Sequence, residues 1–184
     1  FISEIKELKP DVIHLHNIHG YFLNYKMLFE YLKEADIPVI WTVHDCWLYT
    51  GHCYYYSSIE CDKWMSGCGN CPQRTAFPAS WFIDRSKQNL KDKSEAFNSI
   101  KDKLTIVPVS EWIRGEMSRS ILKNCHYQVI HNGIDLNVFD VQPDDKAVRE
   151  KYGLGDKHII LGLASIWIKE KGWDDFMEMS KMLN

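Results

Sequence analysis

Residues 41–73, WTVHDCWLYTGHCYYYSSIECDKWMSGCGNCPQ, constrain this chain more than any other stretch. The segment leaves the apolar run IPVIWTV at His44-Asp45 and continues to Gln73 with neither helical nor strand periodicity. A loop of that length inside a compact domain needs a function or a cross-link to hold it. The residues for both are present. His44 and Asp45 stand where a strand of a parallel α/β sheet ends, and such sheets open their ligand crevice at the carboxyl ends of strands. Cys53, Cys61, Cys68 and Cys71 follow, ending in Cys-x2-Cys, with Gly67 and Gly69 on either side of Cys68.

The flanking chain reads as alternating strands and helices. DVIHLH (11–16) is a predicted strand, and 21–35 a helix with Phe22, Tyr25, Leu28, Phe29 and Leu32 at helical spacing. Residues 37–43 are nearly continuously apolar, the form of a parallel strand whose two faces are covered by helices. Strand, helix and strand within about thirty residues make a right-handed βαβ unit. Beyond the loop, 85–100 is a polar helix with Leu90, Phe97 and Ile100 inside, and LTIVPV (104–109) is another buried strand. Ser110 is a good N-cap for a helix to about residue 122. A short strand at 127–130 ends before Asn132-Gly133, a pair that accepts positive φ.

The fold class is therefore α/β, a Rossmann-like parallel sheet with helices on both faces. From residue 138 the character changes. Val141-Gln142-Pro143-Asp144-Asp145 is linker-like, a short helix runs from 145 to 152, HIILGLA (158–164) is a fresh buried strand, and Gly172 or Trp173 opens a last helix. This is the first βα unit of a second domain, which gives domains of 1–137, with the Cys-rich loop at 46–75, and 138–184. A start and a stop inside patterned segments predict a piece of a longer protein, and without a basic-then-apolar leader no signal peptide is expected.

Composition removes some function classes. A net charge of -3 and a pI near 6.2 give no electrostatic case for nucleic acid or an anionic membrane. Within the Cys-rich loop Lys63 and Arg74 are the only basic residues. The apolar runs are too short to span a bilayer. Neither a GxGxxG nor a Walker pattern occurs, so a dinucleotide fingerprint or P-loop is not supported.

Glycine-flanked turns let two thiolates point at one ion, and four thiolates suit a tetrahedral structural Zn²⁺. Ligation on the order of 10–16 kcal/mol in zinc peptides would order a loop that has little structure of its own. The same spacing also fits two disulfides, or thiols buried as small apolar groups. His52 and Cys46 are further candidate ligands, and an iron–sulfur cluster has weaker support. His44 at a strand end can serve as a general base, a phosphate donor or a hydrogen-bonded loop residue. His14, His16 and His19 gather at the neighbouring strand, so His44 and Asn17 share one rim. Lys171-Gly172 precedes a helix whose free amides and dipole favour anions, although on the sequence alone a solvated lysine in the Ile-Lys-Glu-Lys turn is the better reading.

Together DVIHLHNIHG, IPVIWTVHDCW, VPVSEW, VIHNGIDLNVF and LASIWIKEKGW resemble a retaining glycosyltransferase of the GT-B fold, family 4. The TGHC…C…GC-x-x-C loop is similar to a subgroup from bacterial polysaccharide gene clusters. The resemblance covers nearly the whole chain, from the second half of the N-terminal, acceptor-side domain into the start of the C-terminal, donor-side one. It implies cytoplasmic transfer of a sugar from a nucleotide-sugar donor to a glycan or lipid-linked acceptor. The full-length protein would then be peripheral to a membrane. His44 and Asp45 would border the reaction centre, with His16, Asn17 and Gly20 on the acceptor rim. Asn132 to Asp135 would mark the passage between domains.

Lys171 and Gly172 would hold the donor diphosphate, with no divalent catalytic metal. Where the family usually has an arginine before that lysine, this chain has Ile166. Residues 1–184 alone are expected to be inactive, and the exposed run 158–164 to invite self-association. The competing reading is a zinc-stabilised carbohydrate- or protein-binding module without catalysis, its platform being Trp47, Tyr54, Tyr55, Tyr56 and Trp64.

Overall fold

Asn24 decides where the first crossover helix starts. Its side chain accepts hydrogen bonds from the Lys26 and Met27 amides at 3.1 and 3.4 Å, so the helix opens at Tyr25 and not at Tyr21. The computed structural model describes residues 1–140 and 145–183, in two units, Phe1–Asn132 and Gly133–Asn184. Most of the linker-like stretch, 141–144, lies outside the described residues.

In the first unit α1 (Ile2–Leu8) precedes β1 (Ile13–Leu15), then α2 (Tyr25–Glu34) leads to β2 (Val39–Val43). The Cys-rich loop follows, with one-turn α3 (Lys63–Ser66), before α4 (Ser86–Asn98) and β3 (Leu104–Pro108). Helix α5 (Glu111–Met117) leads to β4 (His126–Tyr127). The strands are parallel and lie in chain order, with Leu15 opposite Trp41, Trp41 opposite Ile106, and Ile106 opposite Tyr127. Helical crossovers between neighbouring parallel strands are what such an order requires.

Aromatic packing ties α2 and α4 to the sheet. Phe97 is fully buried, with its ring centroid 4.7 Å from Phe29, 5.0 Å from Trp41 and 5.7 Å from Tyr25. Burial alternates along β2: Val39, Trp41 and Val43 are buried, while Ile40 and Thr42 are half-buried. The near-continuous apolar run therefore hides a period of two that places Thr42 and His44 on the less covered face. Ser110 caps α5 by accepting from the Ile113 amide at 3.2 Å. The helix stops at Met117, and turns carry the chain to Cys125.

In the second unit α6 (Lys146–Tyr152) ends at Gly153, whose φ of 61° gives the left-handed close expected there. Helix α7 (Trp173–Met182) follows a short 3₁₀ turn. The predicted buried strand at 158–164 does not form. Ile159 and Ile160 are half exposed, and Leu161 and Leu163 are 83% and 91% exposed. A strand makes no hydrogen bonds within itself, and among the described residues none pairs with this run.

Candidate active site

Parallel pairing of β1 with β2 sets their carboxyl ends side by side, and the residues just beyond them form a rim. His16 Nδ1 and His44 Nε2 are 3.1 Å apart, with the rings stacked at 5.4 Å between centroids. His14 lies one pleat below and shares a hydrogen bond of 2.8 Å with Thr42 Oγ1. His44 is exposed, not sealed into the core. Since its Nε2 is engaged by His16, the Nδ1 atom is the one left for a ligand. It presents a donor when Nε2 accepts and an acceptor when Nε2 donates.

Asp45 is held from two sides. Its Oδ1 accepts from the Trp47 amide at 2.9 Å, which turns the chain into the loop, and its Oδ2 lies 3.3 Å from His19 Nε2. His19 in turn stacks on Trp47 at 5.2 Å. One small pocket, about 10 Å³, is lined by His16, Asn17, His19, His44 and Asp45 among others. The structure thus brings His16, Asn17, His44 and Asp45 together, and leaves Gly20 outside this pocket. His19 emerges as the partner of Asp45, a role that its place in the β1 turn hints at but does not specify. A larger cavity of about 210 Å³ shares Trp47 with the rim and has Tyr21, Tyr25, His52 and Lys93 on its walls.

Lys93 is the residue that ties the loop to the helices. It sits on the inner stripe of α4 with Leu90 and Phe97, and is 2% exposed. Its Nζ donates to the carbonyls of Trp47 and Thr50 at 2.6 and 2.8 Å and stands 3.6 Å above the Trp47 ring. Burial pushes its pKa down to about 7. The signal in the sequence is a lysine at helical spacing inside an apolar stripe.

The loop carries its own aromatic core. Tyr49, Tyr56 and Trp64 are buried, with Trp64 5.2 Å from both tyrosine rings. Tyr56 OH donates to Glu116 of α5, which also pairs with Arg119. Of the proposed platform Trp47, Tyr56 and Trp64 are thus interior, Trp47 against Tyr25 and His19 and the other two against each other, because large rings cover more apolar area there than in water. Tyr54 is exposed and Tyr55 half-buried.

All six cysteines are free thiols. Cys53, Cys61, Cys68 and Cys71 line one cavity, but among the described residues no three His, Cys, Asp or Glu side chains are grouped to hold a metal ion. The influence of Cys71, with burial, pushes the Cys53 thiol up, while the influence of Cys53 holds Cys71 down at about 7.

In the second unit Lys171 is exposed at the end of the 3₁₀ turn, and Gly172, with φ 71°, precedes α7. The first turn of α7 already carries Asp174 and Asp175, which themselves satisfy its positive end.

Residues 1–138 match the family model for Glycosyltransferase Family 4. Over 150 residues the chain is 29% identical to the putative colanic acid biosynthesis glycosyl transferase WcaC of Escherichia coli (strain K12). That match covers 78% of this chain and 36% of the relative, so the chain spans about a third of WcaC. No solved structure matches it. The non-catalytic module finds no support in these comparisons, since the match runs through the whole Cys-rich loop.

Proposed function

The chain belongs to glycosyltransferase family 4, and from that premise we propose that the full-length protein transfers a sugar from a nucleotide-sugar donor to a glycan or lipid-linked acceptor in polysaccharide biosynthesis. The observation that carries this reading is the rim at the ends of β1 and β2, where His16, His44, Asp45 and His19 converge inside the matched segment. The name of WcaC, a colanic acid biosynthesis protein, supports a polysaccharide product.

In this reading residues 1–137 belong to the acceptor side and 138–184 begin the donor side. His44 offers its Nδ1 to the acceptor or to the transferred sugar. His16 fixes the plane of that ring, and His19 with the Trp47 amide fixes Asp45 beside it. Asn17 completes the polar edge. The cavity walled by Tyr21, Tyr25 and Trp47 suits the apolar face of a sugar ring. Lys171 and Gly172 meet the leaving diphosphate without a divalent catalytic metal. Because Asp174 and Asp175 sit in the first turn of α7, Lys171 contributes more there than the helix end does.

We place the reaction in the cytoplasm, a reading that the crowd of unpaired cysteines supports. Among the described residues no helix is long and apolar enough to cross a membrane. A lipid-linked acceptor would bring the protein to a membrane surface peripherally. Residues 1–184 alone are expected to be inactive.

The test is incubation of the full-length protein with UDP- and GDP-sugars and an oligosaccharide or lipid-linked acceptor. Acceptor-dependent release of nucleoside diphosphate is expected. Glycan binding without affinity for any nucleotide sugar would contradict the reading.

A further inference from the structure

We propose that Cys53, Cys61, Cys68 and Cys71 form a structural Zn²⁺ site that closes the loop between β2 and α4. The inference stands apart from glycosyl transfer and concerns only how this loop is held.

Several observations converge on one point in the fold. All four cysteines line a single cavity, together with His52 and Lys63. Its volume is about 20 Å³. A water needs about 10–15 Å³ by a comparable measure, so the space admits an ion and not an organic ligand. Cys68 Sγ accepts the Gly51 amide at 3.2 Å, the kind of N–H···S contact that stabilises a thiolate.

His52 supplies an independent sign. It is 7% exposed, and its Nε2 is buried with no hydrogen-bond partner. A buried polar atom left alone costs about 1–3 kcal/mol. A thiolate ligand on the same cavity wall would give that N–H an acceptor.

The backbone is also shaped for the task. Gly67 and Gly69 adopt φ of 142° and 149°, and Asn70 a φ of 47°, so the backbone on both sides of Cys68 and just before Cys71 takes conformations that L side chains rarely adopt. Lys63 Nζ braces this backbone through the carbonyls of Gly69 and Asn70 at 3.2 and 3.1 Å. The Cys71 amide is held by Asp84 Oδ2 at 2.9 Å. As the side chains stand, no three ligands surround a common point, and coordination asks each cysteine to turn about its single χ1 between staggered wells. Four thiol protons leave to water as four Zn–S bonds form. The resulting dianionic site is offset by Lys63 on the cavity wall.

The test uses full-length protein purified without chelator, its zinc measured by elemental analysis and its Co²⁺-substituted form by electronic absorption. About one zinc per chain and the charge-transfer and d–d bands of a tetrahedral four-thiolate cobalt site are expected. Cys68→Ser should retain less than about a tenth of the metal, whereas Cys125→Ser, outside the loop, should keep all of it. Should Cys68→Ser fail to fold, the stoichiometry and the cobalt spectrum of the unaltered protein decide alone. Three results would overturn the site: zinc below about a tenth of an equivalent, a Cys53–Cys71 disulfide found by peptide mapping, or a spectrum with a nitrogen ligand in place of a thiolate.

Discussion

Gly51 is the tightest place in the loop, and adding one methyl group there tests the whole docking arrangement. A Cβ on Gly51 would lie 2.0 Å from the Ser86 carbonyl oxygen and 2.7 Å from Cys68 Cβ, where ordinary contact begins at 3.4 Å. Neither neighbour is the end of a flexible side chain. Ser86 opens α4, and Cys68 sits on a stretch fixed by Gly67, Gly69 and Lys63. Overpacking that side chains can absorb costs about 1–3 kcal/mol, so a wall made of backbone sets the cost of Gly51→Ala at about 3 kcal/mol or more.

For a domain of this size that corresponds to a fall in Tm of about 6–12 °C. Gly115→Ala is the control. Nothing lies within 4 Å of its added Cβ, and it sits inside α5, so a gain of about 0.5–1 kcal/mol is expected. Urea titrations followed by near-ultraviolet circular dichroism of the tryptophans read both shifts. If the Gly51 variant unfolds within about 0.5 kcal/mol of the parent protein, the loop does not dock on α4 as described.

Two further expectations concern the core. Phe97→Ala should lose about 3–5 kcal/mol, because it opens a void between Phe29, Trp41 and Tyr25; a loss below about 1 kcal/mol in chemical denaturation would disprove that packing. Burial pushes the Cys125 thiol from 9.0 up to about 11. The unfolded chain ionises first, so stability falls as pH rises through that window, by roughly 2–3 kcal/mol in all. Cys125→Ala should remove this part of the alkaline slope, and superimposable slopes in the two proteins would show that the thiol is not buried.

The sheet was legible because its strands are short apolar runs, and the caps because Ser110 and Gly153 are residues that those positions favour. His44 was legible from its place after IPVIWTV. Other features depend on contacts that no local pattern encodes. Run 158–164 has a strand's composition but no strand beside it among the described residues. Tyr56 reads as surface until α5 supplies Glu116 as its partner. Lys93 looks like a solvated charge until Trp47 and Thr50 turn two carbonyls toward it. Gly51 has an unremarkable φ, so its need for glycine lies wholly in what faces it.

Strand β2 delivers the His44 imidazole to the sheet's rim, where His16 holds it by one hydrogen bond. Steady-state turnover of full-length His44→Ala, alongside its melting curve, tests this most directly. Since His44 is exposed, the melting temperature should stay close to that of the parent protein, while kcat/KM drops at least about 10²-fold. Turnover within about twofold of the parent protein, at equal stability, would remove this residue from the reaction centre.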